Sequence, residues 1–424
     1  MNKERRLNEL KKLFGLILGL VLIFSISPIQ TSAKETTGND YPLVFVHGLG
    51  GWGPGEMLGV NYWGGFFDLD QYMDGKGYNM IPATVSPFSS NWDRAAELYA
   101  FLKGGTVDYG AAHAKEHGHS RYGKTYEKGA YPNLDETNKI HLIGHSMGGN
   151  TIRTMTDLLI DGSASEMAYH QDHPEEGISP LFTGGKDWIH SVTTLGTPNS
   201  GTTYADEENQ MTELLKSLVI HLATLSGKIT NPDLIVYDLK FEQWGIKRNP
   251  GEGFRSYLNR VMDSNIWESQ DISLFDLTTR GAQQNNTWID THEEVYYFSH
   301  SSQTTYRSLL TGHHLPNALT IPIFYQPSIY IGKYTRKAAP AITKDWLPND
   351  GIVNTISSLY PIGHKYQAYN GVTPPKKGVW NYYPTMMNYD HMDYMGINPV
   401  SYGTSYDIRN FYTKLANSLK SLPK

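Results

Sequence analysis

The chain has 424 residues, 39% of them hydrophobic, a formal net charge of −6 and no cysteine. That length is ample for a large buried core, and the mildly acidic balance argues against a nucleic-acid surface. The missing cysteines exclude a disulfide scaffold and leave packing or bound metal to hold the fold. Residues 1–33, MNKERRLNELKKLFGLILGLVLIFSISPIQTSA, set five Lys/Arg before an apolar run from Leu13 to about Ile26 and end on small residues. This reads as a secretory signal peptide, too short and wrongly flanked for a stable transmembrane span. Cleavage after Ala33 would leave about 390 residues and, by removing five bases and two acids, would move the formal charge from −6 to about −9. The expectation is a secreted, extracellular protein with no nucleic-acid partner and no stable membrane insertion. Residues 34–424 carry no low-complexity linker and no internal repeat, so they are read as a single domain with insertions.

In chain order, YPLVFVHGLGG (41–51) is a buried strand running into a glycine-rich loop. YNMIPATVSP (78–87) is a second strand, and NWDRAAELYAFLKGG (91–105) is a helix with Asn91 as its N-cap. KIHLIGH (139–145) is a strand followed by a helix from about Met147 to Leu159. Strands follow at WIHSVTTLGTP (188–198), EVYYFSH (294–300) and HKYQAYN (364–370), and YDIRNFYTKLANSLKSL (406–422) has helical spacing at Ile408, Phe411, Leu415 and Leu419. Strands alternating with helices predict an α/β fold around a mainly parallel sheet. In ENQMTELLKSLVIHLATLSGKI (208–229), apolar residues recur at Met211, Leu214, Leu215, Leu218, Val219, Leu222 and Leu225. That pattern fits a core-facing helix and an amphipathic lid equally well.

Strand, Gly144-His145-Ser146-Met147-Gly148, helix is the context in which G-x-S-x-G places a nucleophile on a sharp turn. The backbone N–H of Met147, at the helix N-terminus, would face a developing oxyanion, and that of Leu49, after His47-Gly48, would be the second donor. A serine hydroxyl needs a base and the base an orienting acid, in the chain order Ser, Asp/Glu, His. His391, in the loop-like MMNYDHMDYMGINP before the last helix, is the expected base. His364 opens a strand-like run and reads as half-buried or surface. Asp350, between turn residues in WLPNDGIVNT, leads over Asp345 and over Asp390, whose adjacency to His391 disfavours triad geometry. The histidines of GAAHAKEHGHSRYG (His113, His117 and His119) read, on the residues alone, as a solvated polar loop or as a metal site.

The segments VFVHGLGGWG, GHSMGG, NDGIVNT and NYDHMDYMGINP, in this order, resemble the lipase family of Bacillus, Geobacillus and Staphylococcus. The match extends through NWDRAAELYAFLKGGTVDYGAAHAKEHGHSRYG, YDLKFEQWGIKR and LTGHH. The resemblance implies an α/β-hydrolase fold, triacylglycerol hydrolysis at an oil-water interface, and a triad of Ser146, Asp350 and His391. It implies a structural zinc on Asp93, His113, His119 and Asp271, without His117. It further implies a calcium ion near Asp393 and Asn398 with the carbonyls of about Leu319 and Pro399. An asparagine in place of a carboxylate there should weaken calcium binding. The family also favours the lid reading for about 204–230. The competing readings are a phospholipase or short-chain carboxylesterase on the same fold, and a catalytically silent lipid-binding protein.

Overall fold

The computed structural model describes residues 38–57, 59–207, 213, 237–398, 400 and 408–424. The expected signal peptide and Pro399 lie outside the described residues, as does the expected lid except for Tyr204–Glu207 and Glu213. In chain order the first strands are β1 (Leu43–Val46), β2 (Met80–Ala83), the paired β3 (Gly105–Asp108) and β4 (Tyr122–Tyr126), β5 (Ile140–His145) and β6 (Ile189–Leu195). They are followed by β7 (Tyr296–His300), β8 (Ser302–Gln303), β9 (Thr305–Arg307), β10 (His314–Pro316), β11 (Tyr366–Ala368), β12 (Trp380–Tyr382) and β13 (Met386–Met387). The helices are α1 (Leu69–Asp74), α2 (Asn91–Lys103), α3 (Ala111–His117), α4 (Met147–Ile160), α5 (Ala164–Asp172) and α6 (Phe254–Met262). Then come α7 (Ser273–Asp276), α8 (Thr279–Asn285), α9 (Tyr325–Ile331), α10 (Thr355–Leu359) and α11 (Ile408–Lys420).

Seven strands form one sheet in the order β11-β12-β7-β6-β5-β1-β2, and every neighbouring pair is parallel. A parallel sheet needs cover on both faces, which is why β5 (IHLIGH) and β6 (IHSVTTL) are buried at every residue. Helix α4 supplies cover through Ile152, Met155, Leu158 and Leu159, spaced as one face of a helix, and these join Val44, Val46, Leu142 and Val192 in the main core. The α/β expectation holds. Residues Asp40–Lys420 form one compact unit. Asn39 and Ser421–Lys424 belong to a second, in which the Asn39 side-chain amide donates to the Leu422 carbonyl at 3.0 Å.

Two local expectations need correction. Helix α2 is capped by Ser90, whose hydroxyl accepts from the Asp93 N–H at 3.1 Å. Asn91 is the first helical residue, and its N–H donates to the Asp276 carboxylate at 2.6 Å. Strand β12, only three residues long, has no counterpart among the strands expected from sequence.

Candidate active site

Strand β5 ends at His145 and α4 begins at Met147, so Ser146 alone makes the turn, with φ 55° and ψ −131°. Positive φ is unfavourable for a residue with a Cβ. It is held because the Ser146 N–H donates to the Leu195 carbonyl at 2.9 Å and the Gly149 N–H to the Ser146 carbonyl at 3.0 Å. The flanking glycines are there for clearance. A Cβ on Gly144 would lie 2.4 Å from the Gly148 carbonyl carbon, and one on Gly148 would lie 2.1 Å from the Val46 carbonyl oxygen.

The structure brings His391 and Asp350 together, with Nδ1 2.8 Å from Oδ2. A buried carboxylate accepts this bond, so the proton belongs on Nδ1 and Nε2 is left as the basic nitrogen. Asp350 is itself fixed: Oδ1 accepts from the N–H groups of Ile352 (3.2 Å) and Val353 (2.8 Å), and Oδ2 from the Ser302 hydroxyl (3.2 Å). The rivals sit elsewhere. Asp345 is exposed. Asp390 is buried but accepts from the Met392 and Ile321 N–H groups at 2.9 and 3.0 Å. His364 Nδ1 lies 2.7 Å from the Thr291 hydroxyl.

The loop after β1 passes directly over the serine: a Cβ on Gly48 would lie 2.7 Å from that of Ser146. Among the described residues, neither the Leu49 nor the Met147 N–H donates to a protein group. Three residues that sequence reading missed hold this loop. Arg94, fully buried in α2, donates to the carbonyls of His47 and Ser86 and to the Thr151 hydroxyl. Tyr62 accepts from the Gly48 N–H at 2.8 Å, and its hydroxyl lies 2.6 Å from His145 Nδ1. His145 Nε2 then lies 3.1 Å from the His391 carbonyl. Burial, and secondarily the nearby His391, hold the His145 pKa well below its ordinary value. A neutral imidazole that donates at Nε2 and accepts the Tyr62 proton at Nδ1 satisfies the whole chain. Tyr62 lies in no recognisable motif, and Arg94, inside the family-matching NWDRAAE segment, reads only as a helix residue. His145 sits inside a motif but reads as a spacer.

Ser146 and His391 share a cleft of about 660 Å³, including the space open to solvent. Its walls are mostly apolar: Trp52, Phe324, Leu277, Ile352, Val353 and Met395. Such a cleft suits an acyl chain.

A second cluster gathers Asp93, His113, His119 and Asp271, each offering one ligand atom within 4.8 Å of the others. The His113 Nε2 lies 3.5 Å from Asp93 Oδ1 and 3.3 Å from Asp271 Oδ1. The His119 Nε2 lies 4.0 Å from Asp93 Oδ1 and 3.1 Å from Asp271 Oδ2. Tetrahedral zinc, with bonds of about 2.0–2.1 Å, sets its ligands about 3.3 Å apart, so the residues fit the ion. Both Nε2 atoms, Asp93 Oδ1 and Asp271 Oδ2 are buried without a hydrogen-bond partner. The outer contacts are in place: Gln243 donates to Asp93 Oδ2 at 2.8 Å, His119 Nδ1 lies 2.9 Å from the Ser120 carbonyl, and Trp92 stacks on His113. Burial opposes charge on His113, yet Asp271 and Asp93 push its pKa up to about 10. The cluster calls for positive charge.

The expected calcium ligands are arranged differently. The Asn398 amide NH2 donates to the Leu319 carbonyl at 3.1 Å, and its oxygen accepts from the Val400 N–H at 2.9 Å. Asp393 accepts from the Asp390 N–H at 2.6 Å, closing a capping box around the turn that begins at His391. Two of the expected ligands are thus bonded to each other, with a donor facing the carbonyl that a cation would need. Calcium takes 6–8 oxygen ligands, and the Asn398 amide group turned toward Leu319 occupies the place of one of them.

The family model described as "Lipase-like, C-terminal domain" matches residues 39–423. Lipase 2 of Staphylococcus aureus is 40% identical over 401 residues, covering 93% of this chain and 56% of its own length. The chain therefore spans little more than half of the curated relatives it matches. Among solved structures, EstA from Clostridium botulinum is 47% identical with a TM-score of 0.83, covering 91% of this chain and 88% of its own. Lipase 1 from Pelosinus fermentans is 44% identical with a TM-score of 0.79, covering 90% of this chain and 99% of its own. With its fold, its serine turn and these likenesses in agreement, the chain belongs to the family of lipase-like domains that this model describes.

Proposed function

We propose that the protein hydrolyses carboxylic esters of glycerol, as a triacylglycerol lipase using Ser146, His391 and Asp350. The observation that carries this reading is the 2.8 Å contact between His391 and Asp350 in the cleft shared with a serine at positive φ. The Ser146 Oγ attacks the ester carbonyl carbon while His391 Nε2 takes its proton, and Asp350 stabilises the imidazolium. The N–H groups of Leu49 and Met147 receive the oxyanion. Collapse expels the alcohol, which takes the proton from His391. Water, deprotonated by the same nitrogen, then releases the acid and restores Ser146. Asp93, His113, His119 and Asp271 would hold a zinc ion, and four protein ligands would suit it to bracing structure rather than to activating water. A signal peptide over 1–33 directs secretion. No helix among the described residues is long and apolar enough to cross a membrane.

Hydrolysis of emulsified triacylglycerols of graded chain length, beside a phosphatidylcholine control, tests the reading. Ser146→Ala should lose activity by about 10³-fold or more while keeping the native fold, and Asp350→Asn should also be severe. A fluorophosphonate should label Ser146 and no other residue. Preferred cleavage of the phospholipid, or of short soluble esters alone, would move the assignment to a phospholipase or a carboxylesterase. A fully active Ser146→Ala protein would sink it.

A further inference from the structure

Leu309 and Leu310 stand side by side with relative exposures of 101% and 98%. A lone exposed leucine is ordinary on a protein surface, whereas an adjacent pair at a protruding tip is not. They occupy the turn between β9 and β10, which pair antiparallel with Arg307 opposite His314. The tip is firmly built. The N–H groups of Ser308 and Gly312 donate to the carbonyls of His313 and Ser308, each at 2.8 Å. Those of Thr311 and His313 donate to the hydroxyls of Ser308 (3.3 Å) and Thr311 (3.2 Å). These bonds close the turn on either side of the two leucines and hold them out together.

Charge says what kind of surface it meets. The chain carries −6 overall, yet residues 295–344 contain no Asp or Glu and hold Arg307, Lys333, Arg336, Lys337 and Lys344. Of these, Arg336 pairs with Asp206, and the other four make no ion pair among the described residues. Arg307 sits two residues from Leu309, and Lys333 adjoins the hairpin because the His314 N–H donates to the Gly332 carbonyl at 2.8 Å. Tyr306, 53% exposed, lies below the tip, and aromatic residues of this kind favour the headgroup level. The root of the hairpin is tied to the catalytic-acid loop, since the Thr304 N–H donates to the Asn349 carbonyl at 3.0 Å and the Asn349 N–H to the Thr305 hydroxyl at 3.1 Å.

We propose that the β9–β10 tip is an anchor that inserts Leu309 and Leu310 into the surface of an anionic lipid aggregate, with Arg307 and Lys333 at headgroup level. The inference deepens the lipase reading by giving the enzyme a contact with its substrate phase separate from the serine cleft. The test measures binding of the Ser146→Ala protein, in which no hydrolysis occurs, to phosphatidylglycerol and phosphatidylcholine vesicles. Binding should favour phosphatidylglycerol and weaken with salt. Leu309→Ser/Leu310→Ser should reduce it at least tenfold, and Arg307→Gln should reduce the preference for the anionic vesicle. In the otherwise wild-type enzyme, the leucine pair exchange should leave turnover of a soluble short-chain ester unchanged. Leu309→Trp gives a second readout, a blue shift of emission on adding vesicles. Equal vesicle binding by wild type and the serine pair, or no blue shift, would overturn the anchor while leaving the lipase reading intact. Concentration-dependent self-association abolished by the serine pair would overturn it in favour of a contact between copies.

Discussion

The cluster around Asp93 and the loop around Asn398 are both polar and almost wholly buried, yet they solve that problem in opposite ways. At the first, two imidazole nitrogens and two carboxylate oxygens face one another with no hydrogen-bond partner. At the second, the Asn398 side chain donates and accepts at 3.1 and 2.9 Å, and the Asp393 carboxylate holds the Asp390 N–H at 2.6 Å. Buried polar groups left unpaired are costly, so an arrangement of four converging acceptors implies a cation. An arrangement that closes on itself does not. Ligand-type residues near one another therefore do not make a metal site; their unsatisfied valence does.

The sharpest way to break this comparison is to disturb the first cluster. Metal analysis should find about one Zn²⁺ per chain, and His113→Ala should lose it. Removing one partner from a buried charged set costs about 3–5 kcal/mol, so a clear fall in Tm should follow. Unchanged metal content in that variant would refute the site. The next effect is catalytic and concerns a satisfied network like the second loop. Tyr62→Phe removes the hydroxyl between Gly48 and His145, and at about 1–1.5 kcal/mol for one hydrogen bond it should lower kcat roughly tenfold with KM little changed. A rise in KM alone would show that Tyr62 merely lines the cleft. A smaller effect belongs to Asn398. Wild-type Tm should not respond to millimolar Ca²⁺, whereas Asn398→Asp, by placing an acceptor opposite the Leu319 carbonyl, should create a Ca²⁺-dependent rise. Wild-type stabilisation by Ca²⁺ would restore the expectation drawn from the family. Smallest of all, Asp345→Asn should leave activity within about twofold, because this exposed side chain lies away from His391.

Much of this was legible in the sequence because the signals are local. The apolar runs of β1, β5 and β6 end in glycines, and G-x-S-x-G states its own geometry. The proposed zinc ligands came from resemblance, since their grouping depends on α2, α3 and a loop some 150 residues later meeting in space. Tyr62 and Arg94 were not legible for the same reason. Each acts through one atom on a backbone distant in sequence, and nothing in the neighbouring residues marks that. Strand β12 is too short to show a period, and Ser90 displaced Asn91 as the cap because both residue types cap well. Sequence offers Asn398 as a weakened calcium ligand, and only the folded chain shows which of its two amide groups turns toward Leu319.

Asp93 and Arg94 are consecutive residues of one helix, the first turned to the metal cluster and the second gripping the carbonyl of His47 beside the oxyanion loop. A chelator that strips the proposed ion should loosen the turn from which Arg94 reaches. On the proposed zinc site, activity should then fall in step with metal content and return on adding zinc, without the ion touching the serine cleft. In an inhibitor screen the protein should therefore present as a metallohydrolase and a serine hydrolase at once. Only the site of covalent labelling tells which of the two performs the chemistry.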